Sequence, residues 1–178
     1  ALGREIRAAH GVQIEVLTGR DITAFEPALS PRLTHLVVLP EQGHCPNPLR
    51  LSRALAARLR AGGASFVERT VKGFAFADDR VALVLTDGEA VETDTVVVAA
   101  GAHSAGLAAQ LGNAVPLESE RGYHVVVEGA SAGPRTPTMV ADGKLIAHWM
   151  DGGLRAAGQV EIAGLEAAPD WRRAEILH

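Results

Sequence analysis

The sequence predicts a mixed α/β fold of the α+β kind, in which an antiparallel sheet is interrupted by part of a nucleotide-type domain. In the middle of the chain, Val96–Val98 form an apolar run that leads into Ala99-Ala100-Gly101. An unbroken run is typical of a parallel strand covered on both faces, and open α/β sheets place ligands at the carboxyl end of such strands. After Pro116, strand-like segments alternate with turn dipeptides, as in an antiparallel sheet.

The first 63 residues predict short helices and strands in alternation. Gly11 ends a first helix, Thr18 caps a helical turn, and Pro27 ends that turn. The predicted segments are helix 1–10, strand 14–17, helical turn 19–25, strand 35–39 and a longer helix after Asn47.

The helix after Asn47 carries clear signals at both ends. Asn47 is a side-chain N-cap, Pro48 takes the first helical position, and Gly62-Gly63 ends the helix. Leucines recur along it every four residues, so we expect one stripe to face a core. The stripe consists of Leu51, Leu55 and Leu59.

Residues 64–111 predict a strand of a parallel sheet, then an antiparallel excursion of two strands (71–77 and 81–86), and then a second strand of the parallel sheet. Asp78-Asp79 and Asp87-Gly88 are the turns of the excursion, and Gly112-Asn113 closes a following helix. The predicted strands are 64–68, 71–77, 81–86 and 95–100, and the helix is 103–111.

The last third of the chain predicts four antiparallel strands and a final helix. Asp142-Gly143 and Asp151-Gly152-Gly153 are the turns, and Pro169-Asp170 starts the helix. The predicted strands are 123–128, 138–141, 144–150 and 154–162.

Composition argues against several classes of function. A net charge of −4 and only 4% aromatic residues argue against a nucleic-acid binder. Cys45 is the single cysteine, which excludes an intrachain disulfide and favours a reducing compartment. No apolar run reaches the length of a membrane span. The seven histidines are scattered, so we expect no metal.

Five segments, in this order along the chain, resemble motifs of the FAD-dependent amino-acid oxidase and dehydrogenase (DAO) family, and most closely its bacterial D-amino-acid dehydrogenases. They are Phe25–Leu29 (FEPAL), Gly43–Leu51, Val96–Ser104, Arg121–His124 (RGYH) and Gly153–Glu161 (GLRAAGQVE).

The resemblance implies an FAD-dependent oxidoreductase that acts on CH–NH2 and oxidises D-amino acids, or related small amines, by hydride transfer to flavin N5. Two alternatives stay open: an amine oxidase like sarcosine or glycine oxidase, and a non-catalytic subunit of a split flavoprotein. The Gly-x-Gly-x-x-Gly turn that cradles the pyrophosphate does not occur in these 178 residues. The chain therefore resembles a middle fragment with an incomplete FAD cradle, and we expect it to be inactive in isolation.

The family's chemistry requires a cation for the substrate carboxylate, and an Arg fits because its planar fork bonds both oxygens. No residue is assigned a catalytic role. The candidates for substrate binding are Arg155, Arg121, Tyr123, His124 and His148. Each candidate also has a purely structural interpretation. The two arginines would form ion pairs, and the other three residues would be half-buried strand residues.

The resemblance also implies cofactor contacts and a domain order. Val71, Ala100 and Gly101 are the candidates for FAD contact. Residues 1–42 and 116–178 are assigned to an antiparallel substrate domain, and residues 43–115 to part of an FAD-binding, Rossmann-like domain. The expected partners are a small amino-acid or amine substrate and an electron acceptor, with no nucleic acid. The expected location is the cytoplasm, with peripheral attachment to the inner membrane as the family's alternative.

Overall fold

The computed structural model of the protein describes residues 2–78 and 80–177. The helices are α1 (Leu2–Ala9), α2 (Arg20–Phe25), α3 (Pro48–Ala61), α4 (Ser104–Gln110) and α5 (Arg172–Glu175). The strands are β1 (Glu15–Thr18), β2 (His35–Val38), β3 (Val71–Ala77), β4 (Arg80–Thr86), β5 (Val91–Glu92), β6 (Glu120–Val127), β7 (Thr138–Val140), β8 (Leu145–Met150) and β9 (Gly153–Ile162). This is the predicted mixed α/β class with antiparallel sheets.

The chain divides into two compact units that interleave along the sequence. The first comprises Ala1–Ser52, Gly122–Val160 and Pro169–His178, and the second Arg53–Arg121 and Glu161–Ala168.

The first unit contains one complete sheet and most of another. Strands β1 and β2 form a two-stranded sheet, and α2 packs against β1. Most of a four-stranded sheet with the order β6-β9-β8-β7 also lies in this unit. The buried side chains of the unit are few, and Ile22 and Glu26 of the α2 region are the most completely buried of them.

The second unit is built on the antiparallel sheet β3-β4-β5. Helix α4 packs against β3, where the Gln110 side-chain amide donates a hydrogen bond of 3.3 Å to the Lys72 carbonyl. The β3–β4 hairpin confirms the predicted antiparallel excursion. Its predicted turn at Asp78-Asp79 falls partly outside the described residues, because Asp79 is not among them.

The caps of α3 agree with the prediction, but its leucine stripe does not. The Asn47 Oδ1 atom accepts a hydrogen bond of 2.8 Å from the Arg50 backbone N–H, and Pro48 begins the helix. The stripe was predicted to face a core, and this is wrong for the described residues. Leu51, Leu55 and Leu59 are 52%, 58% and 56% exposed, because no described element covers that face of the helix.

Two predicted parallel strands are also wrong. Residues 64–68 and 95–100 do not form strands, and Val97 is 83% exposed. A parallel strand exists only where neighbouring strands supply its hydrogen bonds. The described part of the chain pairs no strand with either segment, so neither becomes part of a sheet.

Gly158 of β9 permits close packing of the β8–β9 hairpin. A Cβ atom there would collide with the carbonyl oxygen of Lys144 and the Cα of Leu145. We expect Gly158→Ala to lower the free energy of unfolding by roughly 2 kcal/mol, as overpacking of a closed site does. Urea unfolding of the full-length protein, followed by circular dichroism, would measure this.

Gly106→Ala is the matched control, because a Cβ at this position in α4 meets nothing within 4 Å. Alanine favours a helix over glycine by about 0.5–1 kcal/mol, so this variant should be at least as stable as the wild type. Equal stability of Gly158→Ala and the wild type would contradict the packing argument.

Candidate functional site

The β8–β9 hairpin brings two of the predicted substrate-binding residues together. His148 of β8 and Arg155 of β9 are directly opposite each other in the antiparallel register. Side chains directly opposite on one face of a sheet have Cβ atoms about 5 Å apart, so these two form a cross-strand pair.

The other face of the same hairpin is occupied by packing. Trp149 and Leu154 are also opposite each other, one position further along, and therefore point away from His148 and Arg155. A Cβ at Gly133 would lie 3.0 Å from atoms of both residues. The His148–Arg155 face is thus the face that this segment leaves uncovered.

A third basic side chain joins this pair from the loop before α3. The Nε2 atom of His44 lies 3.0 Å from the carbonyl oxygen of Trp149. Because a carbonyl oxygen only accepts, Nε2 must carry the proton and donate it. The His44 ring also meets the His148 ring edge to face, with centroids 5.6 Å apart. His44, His148 and Arg155 are called the basic cluster below.

Hydrogen bonds and an ion pair attach the loop that contains His44 to the turn of the β8–β9 hairpin. Asn47 Nδ2 donates to Asp151 Oδ2 at 2.7 Å, and the Asp151 backbone N–H donates to the Pro46 carbonyl at 3.2 Å. The Arg50 guanidinium lies 3.4 Å from the same Asp151 oxygen. Asn47 therefore caps α3 with its oxygen and holds the hairpin turn with its nitrogen.

The basic cluster has polar atoms without hydrogen-bond partners. His148 Nδ1 and Arg155 Nε are both buried and have no partner in the structure. Burial, the Arg155 charge and the neighbouring His44 together lower the pKa of His148 below its ordinary value. The imidazole is therefore neutral at pH 7, and Arg155 supplies the positive charge. Such an arrangement suits an anion that accepts from the guanidinium and the ring.

Two of the predicted site residues of β6, Arg121 and Tyr123, form hydrogen bonds with the segment that follows β9. The Nη2 atom of Arg121 donates to the Ala167 carbonyl at 2.6 Å, and its Nη1 lies 3.6 Å from Glu161 Oε2. These contacts agree with a structural role for Arg121, which holds the segment after β9.

Tyr123 is only 4% exposed and holds the start of the C-terminal segment. Its hydroxyl oxygen accepts a hydrogen bond of 2.8 Å from the Asp170 backbone N–H, and its ring packs edge to face on Trp171. His124 is the next residue of β6 and is exposed. Among the described residues, no hydrogen bond or ring contact joins His124 to the basic cluster.

The candidate cofactor residues lie at two places in the second unit. Val71 is the first residue of β3, pairs with Thr86 and is partly exposed. Ala100 and Gly101 lie at the 3₁₀ turn Gly101–His103 that leads into α4. The Ala100 N–H donates to Ser104 Oγ at 3.0 Å, which fixes this turn.

Sequence reasoning missed two residues that the structure makes prominent. In the sequence His44 is only one residue of the Gly43–Leu51 segment, whereas its contact with β8 joins residues 105 positions apart. Glu26 was noted only as part of a motif, yet it is 1% exposed. Its Oε2 accepts from the Arg135 and Thr136 N–H groups at 2.6 and 3.3 Å.

The family model described as FAD dependent oxidoreductase (DAO) matches residues 1–178. The chain belongs to this family. It is 44% identical over 176 residues to the D-amino-acid oxidase of Bradyrhizobium diazoefficiens, which covers 99% of this chain and 42% of that protein. It is 32% identical to the D-amino acid dehydrogenase of Rhizobium johnstonii, over 88% of this chain and 39% of that protein.

Solved structures show the same fold at low identity. The L-proline dehydrogenase of P. horikoshii superposes with a TM-score of 0.83 at 20% identity, covering 97% of this chain and 48% of that one. The glycine oxidase of Bacillus cereus gives a TM-score of 0.73 at 21% identity, over 90% of this chain and 43% of that one. The chain thus spans less than half the length of these relatives.

The turn before α4 leaves its backbone open at Gly101. Gly101 has a φ of +58°, which disfavours other residues, and a Cβ there would meet nothing within 4 Å. The backbone is therefore open to close approach at this turn. The glycine-rich turn that would hold the pyrophosphate does not occur in these 178 residues.

Two kinds of feature are absent from the described residues. No helix among residues 2–78 and 80–177 is long and apolar enough to cross a membrane. Within the same ranges, no three side chains among His, Cys, Asp and Glu are grouped so that they could hold a metal ion.

Proposed function

We propose that the full-length protein is an FAD-dependent oxidoreductase that oxidises D-amino acids at the Cα–NH2 group, giving the imino acid. Family membership over all 178 residues and the D-amino-acid oxidase and dehydrogenase relatives support this assignment. The imino acid would then hydrolyse to a keto acid and ammonia.

The observation that carries the proposal is the His148–Arg155 pair. A D-amino acid presents a carboxylate, and the Arg155 guanidinium can bond both of its oxygens. In this proposal Arg155 holds the carboxylate, and the opposing His148 directs it from the adjacent strand. The half-buried position of both residues limits competition from water and strengthens the ion pair.

Bound FAD would accept the two electrons and the hydrogen from the substrate Cα. We assign Val71, Ala100 and Gly101 to its binding, since the open backbone at Gly101 allows close approach. The task of this chain's residues is therefore to bind and orient. No side chain is assigned as an acid, base or nucleophile.

The proposed domain order keeps the boundaries that the sequence suggests. Residues 1–42 and 116–178 form the substrate domain, which contains Arg155 and His148, and residues 43–115 form part of the FAD-binding domain. We place the protein in the cytoplasm, where the exposed thiol of Cys45 would stay reduced.

A second candidate is a glycine-oxidase-like amine oxidase, which the superposition on glycine oxidase favours. To separate the two, the full-length protein would be loaded with FAD and mixed with D-alanine, L-alanine, glycine and sarcosine. Flavin bleaching without oxygen would report the reduction. Fastest bleaching by D-alanine supports the proposal, and fastest bleaching by glycine or sarcosine selects the alternative.

Two further outcomes concern the cofactor and the fragment. Failure of the full-length protein to bind FAD would favour the non-catalytic subunit of a split flavoprotein. We expect residues 1–178 alone to show no turnover, so measurable turnover by that segment would contradict the proposal that its FAD cradle is incomplete.

A further inference from the structure

Glu26 is a buried carboxylate, and the segment that it binds packs on the back of the β8–β9 hairpin. We propose that Glu26 is a positioning residue for the substrate site. By holding residues 133–136 against the hairpin, it fixes the opposed His148 and Arg155 side chains in the geometry that binds a carboxylate. This inference rests on the proposed function, because it takes Arg155 as the group that binds the substrate.

Glu26 itself has a fixed position in the first unit. It is the C-cap residue of α2, where its backbone N–H donates a hydrogen bond of 2.8 Å to the Ile22 carbonyl. Ile22 and Glu26 are each only 1% exposed, and α2 packs against β1. The carboxylate is therefore attached to a helix end that is anchored by packing.

The carboxylate binds the connection between β6 and β7, which has no regular secondary structure over residues 131–137. Glu26 Oε2 accepts hydrogen bonds from the Arg135 N–H at 2.6 Å and the Thr136 N–H at 3.3 Å. Backbone donors in an irregular segment lack a helix or strand partner, so a side-chain acceptor supplies their bonds. Because hydrogen bonds depend on distance and angle, this carboxylate fixes the segment at two successive residues.

The same segment touches the hairpin two residues before Arg135. A Cβ atom at Gly133 would lie 3.0 Å from both the Trp149 Cζ2 atom and the Leu154 Cδ1 atom, so the backbone approaches these side chains closely. Closely packed groups transmit a displacement rather than absorb it. A shift of residues 133–136 is therefore passed on to Trp149 and Leu154.

Trp149 and Leu154 are the immediate strand neighbours of the binding pair. They are opposite each other in the register next to His148 and Arg155, and successive residues of a strand point to opposite faces. On the front face, His148 Nδ1 and Arg155 Nε have no hydrogen-bond partner among the described residues, so these two atoms do not orient the pair. The packing behind the hairpin is therefore what sets its orientation.

The first test is the steady-state kinetics of Glu26→Met with D-alanine, on the FAD-loaded full-length enzyme. Methionine has a similar shape but lacks the oxygens that accept from the Arg135 and Thr136 N–H groups. A misplaced binding pair weakens the ground state and the transition state alike, so KM should rise roughly tenfold with little change in kcat. If Glu26 served stability alone, the substitution would reduce the folded fraction, which lowers the apparent kcat and leaves KM unchanged.

Glu26→Gln is the conservative variant, because its amide oxygen can still accept from both backbone N–H groups, and it should restore a KM close to that of the wild type. Glu15→Met is the matched control, because Glu15 is exposed on β1 of the same unit. A wild-type KM in Glu26→Met would overturn the inference, as would an equal rise in Glu15→Met.

Gly133→Ala tests the contact from its other end, and it applies even if Glu26→Met does not fold. The added Cβ would press on Trp149 and Leu154, so KM for D-alanine should rise roughly threefold. Gly106→Ala is its control, because a Cβ there meets nothing within 4 Å. An unchanged KM in Gly133→Ala would show that the segment does not position the hairpin.

NMR of the full-length protein labelled at histidine gives a second readout that needs no turnover. Burial, the Arg155 charge and His44 lower the pKa of His148. Displacement of the hairpin in Glu26→Met should expose the ring and raise this pKa toward its ordinary value, whereas Glu26→Gln should keep the wild-type pKa.

The two readouts separate this inference from the proposed function. An unchanged pKa of His148 in Glu26→Met would contradict the positioning role even if the wild type oxidises D-alanine. A raised pKa in a protein that oxidises no D-amino acid would support the positioning role and contradict the proposed reaction.

Discussion

Replacing Arg155 with Met should lower kcat/KM for D-alanine by roughly a hundredfold or more in the full-length enzyme. The substitution removes the charge that binds the carboxylate but keeps most of the side-chain volume. Losing one partner of a half-buried, hydrogen-bonded charge pair costs about 2–5 kcal/mol, and each 1.4 kcal/mol is a factor of ten. Steady-state kinetics at saturating electron acceptor would measure the loss.

Two companion variants make this result interpretable. Arg155→Lys restores the charge without the planar fork, so it should recover only part of the activity. Arg32→Met removes an exposed arginine whose side chain makes no described bond, and it should behave as the wild type. Full activity in Arg155→Met with intact FAD binding would contradict the assignment of the carboxylate to Arg155.

Replacing Glu26 with Ala should destabilise the first unit by about 3 kcal/mol. The carboxylate accepts from the Arg135 and Thr136 N–H groups and, at 3.5 Å, from that of Ala28. Hydrogen bonds to a charged acceptor contribute about 1.5–3 kcal/mol each, and the substitution removes the acceptor while leaving the donors in place. A lower thermal unfolding midpoint by calorimetry would show the loss.

Hydrogen exchange would locate the effect of the Glu26 substitution. The amides of Arg135 and Thr136 should exchange faster in Glu26→Ala and less so in Glu26→Gln, which keeps one oxygen acceptor. Glu41→Ala removes an exposed carboxylate and serves as the control. Unchanged exchange at residues 135 and 136 would show that Glu26 does not hold that segment.

The parts of the fold that the sequence predicts well depend on interactions between residues that are close together in the sequence. Asn47 caps α3 through a bond to Arg50, three positions away. The β8–β9 hairpin follows from alternating side chains around the Asp151-Gly152-Gly153 turn. Because these signals act over a few residues, they can be read without knowing the rest of the fold.

The predictions that failed concern apolar surfaces that only a second helix or strand could bury. Residues 95–100 have the composition of a buried parallel strand, and the stripe along α3 has the period of a buried helix face. Apolar patterning shows which surface is suited to burial, but only a second element can bury it. Among the described residues neither surface has such an element.

The candidate site was also only partly predictable from the sequence, because some of its contacts join residues far apart in the chain. The sequence suggested Arg155 and His148 separately, and the strand register makes them a pair. His44 could not be linked to them, because its bond to the Trp149 carbonyl depends on how the loop folds onto the hairpin. The burial of Glu26 likewise depends on a segment more than 100 residues further along.

The interleaving of the two units has a consequence for biosynthesis. The first unit consists of Ala1–Ser52, Gly122–Val160 and Pro169–His178, so its early part leaves the ribosome well before the hairpin that carries Arg155. Meanwhile Arg53–Arg121, which contain most of the second unit, have already been made. His44 and Glu26 can therefore form their hydrogen bonds only after more than 100 further residues have been synthesised. Because contacts of such sequence separation require closure of a long loop, we expect the basic cluster to assemble only after the β8–β9 hairpin has been synthesised.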